Sequence, residues 1–180
     1  MKTLRQHIDE ALKIGKNLSE WCAYSGQPKT KDELKEIIDD RIEKEGPECD
    51  LNDIDTSLIT DMSDLFYVSE FNGDISKWDV SKVKNMSDMF MHSKFTGDIS
   101  KWNVSGCTTM SGMFAYSIFN RDISKWDVSN VTNMYGMFVE SKFNQDISNW
   151  KINKDCNTSN IFYKCTIGKE YKPKLPKLPK

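Results

Sequence analysis

The chain has 180 residues and a formal net charge of −2, with 38% hydrophobic and 29% charged residues. This size allows one compact unit plus a small appendage, and the composition is that of a globular protein rather than a disordered one. The apolar runs are only a few residues long, which predicts that the chain has no membrane-spanning helix.

The charge is unevenly distributed along the chain. Residues 164–180 carry six lysines and one glutamate, a net charge of +5, whereas the rest of the chain has a net charge of −7. An acidic body repels phosphate groups, so we expect the body to bind no nucleic acid.

The first 47 residues are predicted to form a helical N-terminal segment and cap. Apolar residues at helical spacing predict a helix over residues 3–21. A second helix is predicted to begin after Thr30, because Glu33 three residues later completes a capping box, and to end at Gly46-Pro47. A stack of repeats needs its open end covered, which is the role expected of this second helix.

Residues 48–165 contain a repeat with a period of 24 residues, seen most clearly in Trp78, Trp102, Trp126 and Trp150. A period of this length with one apolar set per unit is typical of a solenoid, in which each coil buries its apolar side against its neighbours. For the unit after Phe71 we predict a short strand at 73–76 and a short helix at roughly 84–93. The predicted core of the repeats consists of Phe71, Trp78, Met86, Met89, Phe90, Phe95, Trp102, Met110, Met113, Phe114, Phe119, Trp126, Met134, Met137, Phe138, Phe143 and Trp150.

Residues 166–180 form a Lys/Pro-rich segment that is predicted to be an extended, solvated tail. Pro173, Pro176 and Pro179 recur every third residue, which suits a polyproline II conformation.

Few residues suggest chemistry. The sequence has two histidines without paired ligands and five cysteines without a C-x-x-C pair, so we predict no catalytic, cofactor-binding or metal-binding residues and no cofactor. Reduced thiols are the favoured interpretation of the cysteines, with a Cys156–Cys165 disulfide as the alternative. The repeated Asp74, Asp98, Asp122 and Asp146 either bind calcium or accept hydrogen bonds from backbone N–H groups, and the second interpretation is favoured because calcium loops usually supply more ligands.

One track of residues varies from unit to unit while the core positions stay constant. Variation on a constant frame suits recognition of a protein partner, although neutral drift would produce the same pattern. The candidate partner-binding residues are Tyr67, Val68, Met91, His92, Tyr116, Tyr135 and Glu140, of which the tyrosines are the expected anchors.

The unit F-N-x-D-I-S-x-W-D-V-S-x-V-x-N-M-x-x-M-F resembles the BspA-like leucine-rich-repeat family of mycoplasma surface lipoproteins over residues 50–165. The resemblance implies an α/β repeat: a short right-handed leucine-rich-repeat-like solenoid of 24-residue coils, each a short strand plus a short helix. It also implies an interaction protein without catalytic activity. The sequence shows no signal peptide or lipobox cysteine, which counts against a surface lipoprotein.

The N-terminus carries a second resemblance. Met1-Lys2-Thr3 followed by Ile8–Ala11 is similar to the capsid-targeting peptides of tailed phages, which implies cleavage between Glu10 and Ala11. The function expected from the sequence is therefore a non-enzymatic, phage-encoded module for protein–protein interaction, located in the host cytoplasm or the virion. A capsid-packaged phage protein and a cell-surface adhesin are the alternatives, and the partner and the oligomeric state are left open.

Overall fold

The computed structural model describes residues 27–176. In this part of the chain an α-helix, α1, spans Lys31–Glu45 and a 3₁₀ helix spans Lys169–Tyr171. The chain between them winds into stacked coils, which we number coil 1 (49–70), coil 2 (71–94), coil 3 (95–118), coil 4 (119–142) and coil 5 (143–165). The helix predicted at residues 3–21 lies outside the described residues.

Helix α1 begins and ends where its capping residues predict. The Thr30 side chain accepts a hydrogen bond from the Glu33 N–H at 3.2 Å, and the Glu33 carboxylate accepts one from the Lys29 N–H at 2.7 Å. At the other end Gly46 has a φ of +90°, and its N–H donates to the Ile42 carbonyl at 2.9 Å. Both ends therefore have partners for backbone groups that a helix leaves unpaired.

Helix α1 crosses the open end of coil 1. Its apolar face packs on the core of the coils through two fully buried residues, Leu34 and Ile38. At one end of the helix Lys31 Nζ donates to Ser63 Oγ at 3.0 Å, and towards the other end Arg41 forms an ion pair of 2.8 Å with Asp53. The helix is thus held to both sides of coil 1.

Successive coils are joined by backbone hydrogen bonds rather than by a regular sheet. In coil 2 the N–H groups of alternate residues donate to the next coil, as from Phe90 N to Met113 O at 2.9 Å. The residues between them donate within the coil, three residues back, as from Met91 N to Asp88 O at 3.1 Å. One parallel bridge position runs through all the coils as a ladder of single residues: Asp61, Asn85, Thr109, Asn133 and Asn157.

The predicted α/β solenoid of strand-plus-helix coils is wrong. Within residues 27–176 the β-structure consists of isolated bridges, and the segments predicted to be strand 73–76 and helix 84–93 form neither. The predicted helix fails because Asp88 and His92 have left-handed backbones, with φ of 56° and 58°, and because four of its ten N–H groups donate to the next coil. A leucine-rich-repeat geometry of strand and helix is therefore not the structure of this chain.

The interior of the stack is built from columns of identical side chains. The Phe66, Phe90, Phe114, Phe138 and Phe162 rings stack at 5.5 to 5.7 Å between centroids, and a second column joins Phe71, Phe95, Phe119 and Phe143 at 6.1 to 6.4 Å. All the predicted core residues are buried. The indole of each of the four tryptophans in the repeats donates to a carbonyl of the preceding coil, as from Trp126 to Ile99 O at 3.1 Å. Apolar burial and these bonds together connect every coil to the next.

The segment after coil 5 differs from the expected solvated tail. Ile167 and Pro173 are buried, and the Tyr171 carbonyl accepts a hydrogen bond from the Ile147 N–H at 3.0 Å. Lys172 Nζ lies 5.4 Å from the centre of the Phe162 ring. Residues 166–173 therefore pack against part of the last coil.

Candidate partner-binding face

Two adjacent positions in each coil form a surface that we call the variable face. The first column contains Tyr67, Met91, Ala115, Val139 and Tyr163, and the second contains Val68, His92, Tyr116, Glu140 and Lys164. The two residues that precede these positions, such as Leu65 and Phe66 in coil 1, point into the core. The path of the backbone thus determines both the interior and the position of the variable face, while the pair of side chains on the face differs from coil to coil.

Aromatic rings dominate the end of the variable face nearest α1. The His92 ring stacks on the Tyr116 ring at 4.5 Å and 4°, and it meets the Tyr67 ring edge-on at 6.4 Å. Tyr67 and Tyr116 are 49% and 42% exposed, and Val68 beside them is 61% exposed. Rings that already stack on one another lose little freedom on binding, so this group offers a rigid apolar contact surface.

The far end of the variable face is charged. Lys164 Nζ donates to the Glu140 carboxylate at 3.1 Å, and this hydrogen bond raises the pKa of Lys164. The pair is exposed and adds little to stability. The face therefore changes from a stacked aromatic group in coils 1 to 3 to an ion pair beside the exposed Tyr163 ring in coils 4 and 5.

The second column has an unusual backbone. Its residues have left-handed φ values of 50° to 58°, and none of them is glycine. This conformation costs a non-glycine residue about 1–2 kcal/mol. Because it recurs in all of the coils whatever side chain is present, we attribute it to the path of the coil and not to a function of any one residue.

Not all of the candidate residues lie equally open on this face. Tyr135 belongs to a separate column, otherwise made of Ser63, Ser87, Ser111 and Ser159, and is 48% exposed. Met91 is half-buried. Tyr163, at the Tyr67 position of coil 5, is 53% exposed and was missed by sequence reasoning, although a further step of 24 residues from Val139 leads to it.

The repeated aspartates form local turns on a different part of each coil. The Asp98 carboxylate accepts a hydrogen bond from the Ser100 N–H at 2.9 Å, and Asp74, Asp122 and Asp146 bond in the same way to the serine two residues on. These backbone hydrogen bonds lower the pKa of each of the four carboxyl groups. Among residues 27–176 no group of three or more His, Cys, Asp or Glu side chains is arranged to hold a metal ion.

The pKa of one other carboxyl group, that of Asp88, is shifted in the opposite direction. Asp88 Oδ1 occupies the space next to Gly112, where a Cβ atom would lie only 1.9 Å from it. Partial burial, followed by repulsion from Asp64, raises the pKa of Asp88. Gly112 also has a left-handed φ of 61°, so two features favour glycine at this position.

The cysteines of the described part are free thiols, including Cys156 and Cys165, so the alternative disulfide is not formed. Burial raises the pKa of the Cys107 thiol to about 11, which makes it an unreactive member of the core. Among the described residues no helix has the length and apolar content needed to cross a membrane.

Residues 34–118 and 115–170 match the model of a family described as "Mycoplasma protein of unknown function, DUF285". The chain belongs to the DUF285 family. This match supports the resemblance to BspA-like repeats at the coarser level of a mycoplasma repeat family. No curated protein and no solved structure matches the chain.

The DUF285 match does not support a phage origin, a capsid-packaged protein or an adhesin. The similarity to a capsid-targeting peptide, with its cleavage between Glu10 and Ala11, lies outside the described residues. It therefore stays a prediction from the sequence alone.

Proposed function

We propose that this DUF285 protein is a non-enzymatic module that binds a protein partner through the variable face. The observation that carries the proposal is the exposed ring group of Tyr67, His92 and Tyr116, which is held on a rigid stack of coils. Exposed aromatic side chains are costly to leave in water and are enriched at the centres of protein interfaces.

The contrast between interior and surface also supports the proposal. The phenylalanine and tryptophan columns repeat the same residue in coil after coil, whereas each column of the variable face holds several chemical types. Such a face can be adapted to a partner without disturbing the packing that maintains the stack.

The same comparison of positions supports the non-enzymatic part of the proposal. The residues that recur are either buried, as Trp102 is, or held in local turns, as Asp98 is with the Ser100 N–H. His92, which could act as a base, is stacked on Tyr116. The proposal therefore assigns recognition and no reaction to the chain.

Site-specific photo-crosslinking tests the proposal. We would place the photoreactive amino acid p-benzoylphenylalanine at Tyr116 and expose the protein to lysate of its native host. The expected result is a defined crosslinked product whose yield falls about tenfold when unlabelled parent protein is added as a competitor. The yield should stay unchanged when the competitor carries Tyr67→Ala and Tyr116→Ala.

The matched control places the same amino acid at Leu58, which is 39% exposed in coil 1 but not on the variable face. Equal crosslinking at Leu58 and Tyr116 would show nonspecific adhesion. If the double alanine variant competes as well as the parent, the variable face is not the binding site.

A further inference from the structure

Coil 5 has backbone N–H groups at the positions from which every preceding coil donates hydrogen bonds to the next coil. In coil 4 the N–H groups of Gly136, Phe138 and Glu140 donate to coil 5 at 3.0, 2.9 and 2.9 Å. The equivalent donors of coil 5 belong to Asn160, Phe162 and Lys164, and within residues 27–176 they have no hydrogen-bond acceptor.

These three residues lie at the surface. Asn160 and Lys164 are exposed and Phe162 is half-buried. The segment at 166–173 packs on another part of coil 5, where Tyr171 bonds to Ile147. We call the N–H groups of residues 160, 162 and 164 the open edge, because they form a row of donors at two-residue spacing, as an unpaired sheet edge does.

A second copy of the chain does not fit this edge. At these positions each coil donates to carbonyls of the coil that follows it. In a second copy, the carbonyls that could accept from the open edge would therefore be those of coil 1, at the N-terminal end of its stack. Helix α1 crosses that end. Its own Leu34 and Ile38 are fully buried, and its Lys31 is bonded to Ser63. Stacking of two copies would require the removal of α1 from its apolar contacts.

The charge around the open edge indicates the kind of partner. Residues 151–176 contain six lysines and two acidic residues, a net charge of +4, while residues 27–150 have a net charge of −9. Lys164 lies on the edge itself, and Lys172 lies over the Phe162 ring. A positively charged edge favours association with an acidic segment.

We propose that the open edge binds an acidic polypeptide segment of another protein, whose backbone carbonyls accept hydrogen bonds from Asn160, Phe162 and Lys164. This is addition of a chain to an exposed edge, in which main-chain bonds supply affinity and side chains supply specificity. The half-buried Phe162 ring offers an apolar contact between the hydrogen bonds, and the surrounding lysines select acidic sequences.

Amide hydrogen exchange measured by NMR tests the proposal on the full chain. In the free protein, the amides of Asn160 and Phe162 should exchange at least about a hundredfold faster than those of Gly136 and Phe138, their equivalents in coil 4. The probe is a synthetic peptide that copies residues 132–141, whose carbonyls accept from coil 3, with three glutamates added at each end. On binding it should slow exchange at the open edge by about tenfold or more.

Charge variants complete the experiment. The glutamate-flanked peptide should bind at least about tenfold more tightly than a lysine-flanked version. The double variant Lys172→Glu, Lys174→Glu should lose that preference, whereas Lys94→Glu, Lys142→Glu, with the same change in charge on interior coils, should keep it.

Several results would overturn the proposal. Free-protein exchange at the open edge as slow as in coil 4 would show that the edge is already covered. Failure of the peptide to bind, or binding without slower exchange at the edge, would exclude this mode of recognition. If raising the protein concentration without peptide slows exchange at the open edge, and sedimentation velocity shows dimers, the occupant is a second copy. Lys164 belongs to both surfaces, but none of these results bears on the ring group of Tyr67, His92 and Tyr116, which the crosslinking at Tyr116 tests separately.

Discussion

Trp102 shows how a single side chain connects two coils. Its indole is 4% exposed, stacks on Trp78 with centroids 6.5 Å apart, and donates to the Ile75 carbonyl of coil 2 at 3.2 Å. The ring therefore fills the interior of its own coil, and its polar atom is satisfied by the coil before it.

We expect Trp102→Ala to lower the free energy of unfolding by about 3–5 kcal/mol, because it leaves a large cavity in a packed interior and removes the buried hydrogen bond from the indole to Ile75. Chemical denaturation of the variant beside the parent measures the difference. Tyr135→Ala is the matched control, because that ring is 48% exposed and its loss should change stability by less than about 0.5 kcal/mol. An unchanged midpoint for Trp102→Ala would mean that the tryptophan column is not part of the core.

The turn formed by each D-I-S sequence is repeated in coils 2 to 5. In coil 3, Asp98 accepts from the Ser100 N–H, and five residues later Asn103 accepts from the Ser105 N–H at 3.2 Å. Because Asn103 supports the same turn without a charge, the turn depends on a side-chain oxygen and not on a carboxylate. The sequence contains its own evidence for the role of the aspartates.

Acid should weaken the parent protein partly through these turns. The folded pKa of Asp74, Asp98, Asp122 and Asp146 lies below the unfolded value of about 3.9. Their contribution is therefore complete above the unfolded pKa and is lost as the pH falls through the folded pKa. A variant with asparagine at all four positions should show a smaller fall in melting temperature between pH 5 and pH 3, measured by circular dichroism. The same fall in variant and parent would contradict this account.

Asp88 provides a control of opposite sign. Its pKa is raised, so the folded state becomes relatively more stable as this group is protonated at low pH. Asp88→Asn should therefore be at least as stable as the parent at pH 7. On acidification the variant should lack the stabilisation that the parent gains from protonation of Asp88.

The whole molecule is a short stack in which each coil contacts only its neighbours. Helix α1 covers the first coil, whereas among residues 27–176 the segment that contains the buried Pro173 covers only part of the last coil. In such an arrangement stability is roughly a sum of terms for single coils and for the contacts between neighbours. Removal of coil 3 then leaves every type of contact within the core in place, although the stacking of His92 on Tyr116 is lost.

Deletion of residues 95–118 should give a folded protein with four coils. Its denaturation slope should fall by about a sixth, because the slope scales with the surface exposed on unfolding and 24 of the 150 described residues are removed; its midpoint should be lower. Deletion of residues 95–106, half of a unit, is the control and should prevent cooperative unfolding, because it places exposed positions in the core. If both deletions behave alike, the 24-residue register does not determine the fold.

The DUF285 sequence by itself determined which residues of the repeats are buried, because the 24-residue period places each buried side chain next to its copy, whereas it did not reveal the burial of Ile167 and Pro173. It also determined α1, since Thr30, Glu33 and Gly46 cap a helix through contacts within the helix itself. The exposure of the second column of the variable face could be predicted in the same way, because side chains as different as Val68, His92 and Glu140 do not suit one shared core, whereas Ala115 of the first column is buried.

Only the tertiary structure decided how each coil is built. Met86, Met89 and Phe90 have the spacing of a helical face, and they are buried as that spacing predicts. However, the backbone here bonds alternately to the next coil and to itself. No local pattern distinguishes this arrangement from a helix, because the competing acceptors lie 23 residues away. The stacking of His92 on Tyr116 and the open edge at Phe162 depend on the same long-range bonds, which exist only once the coils are stacked.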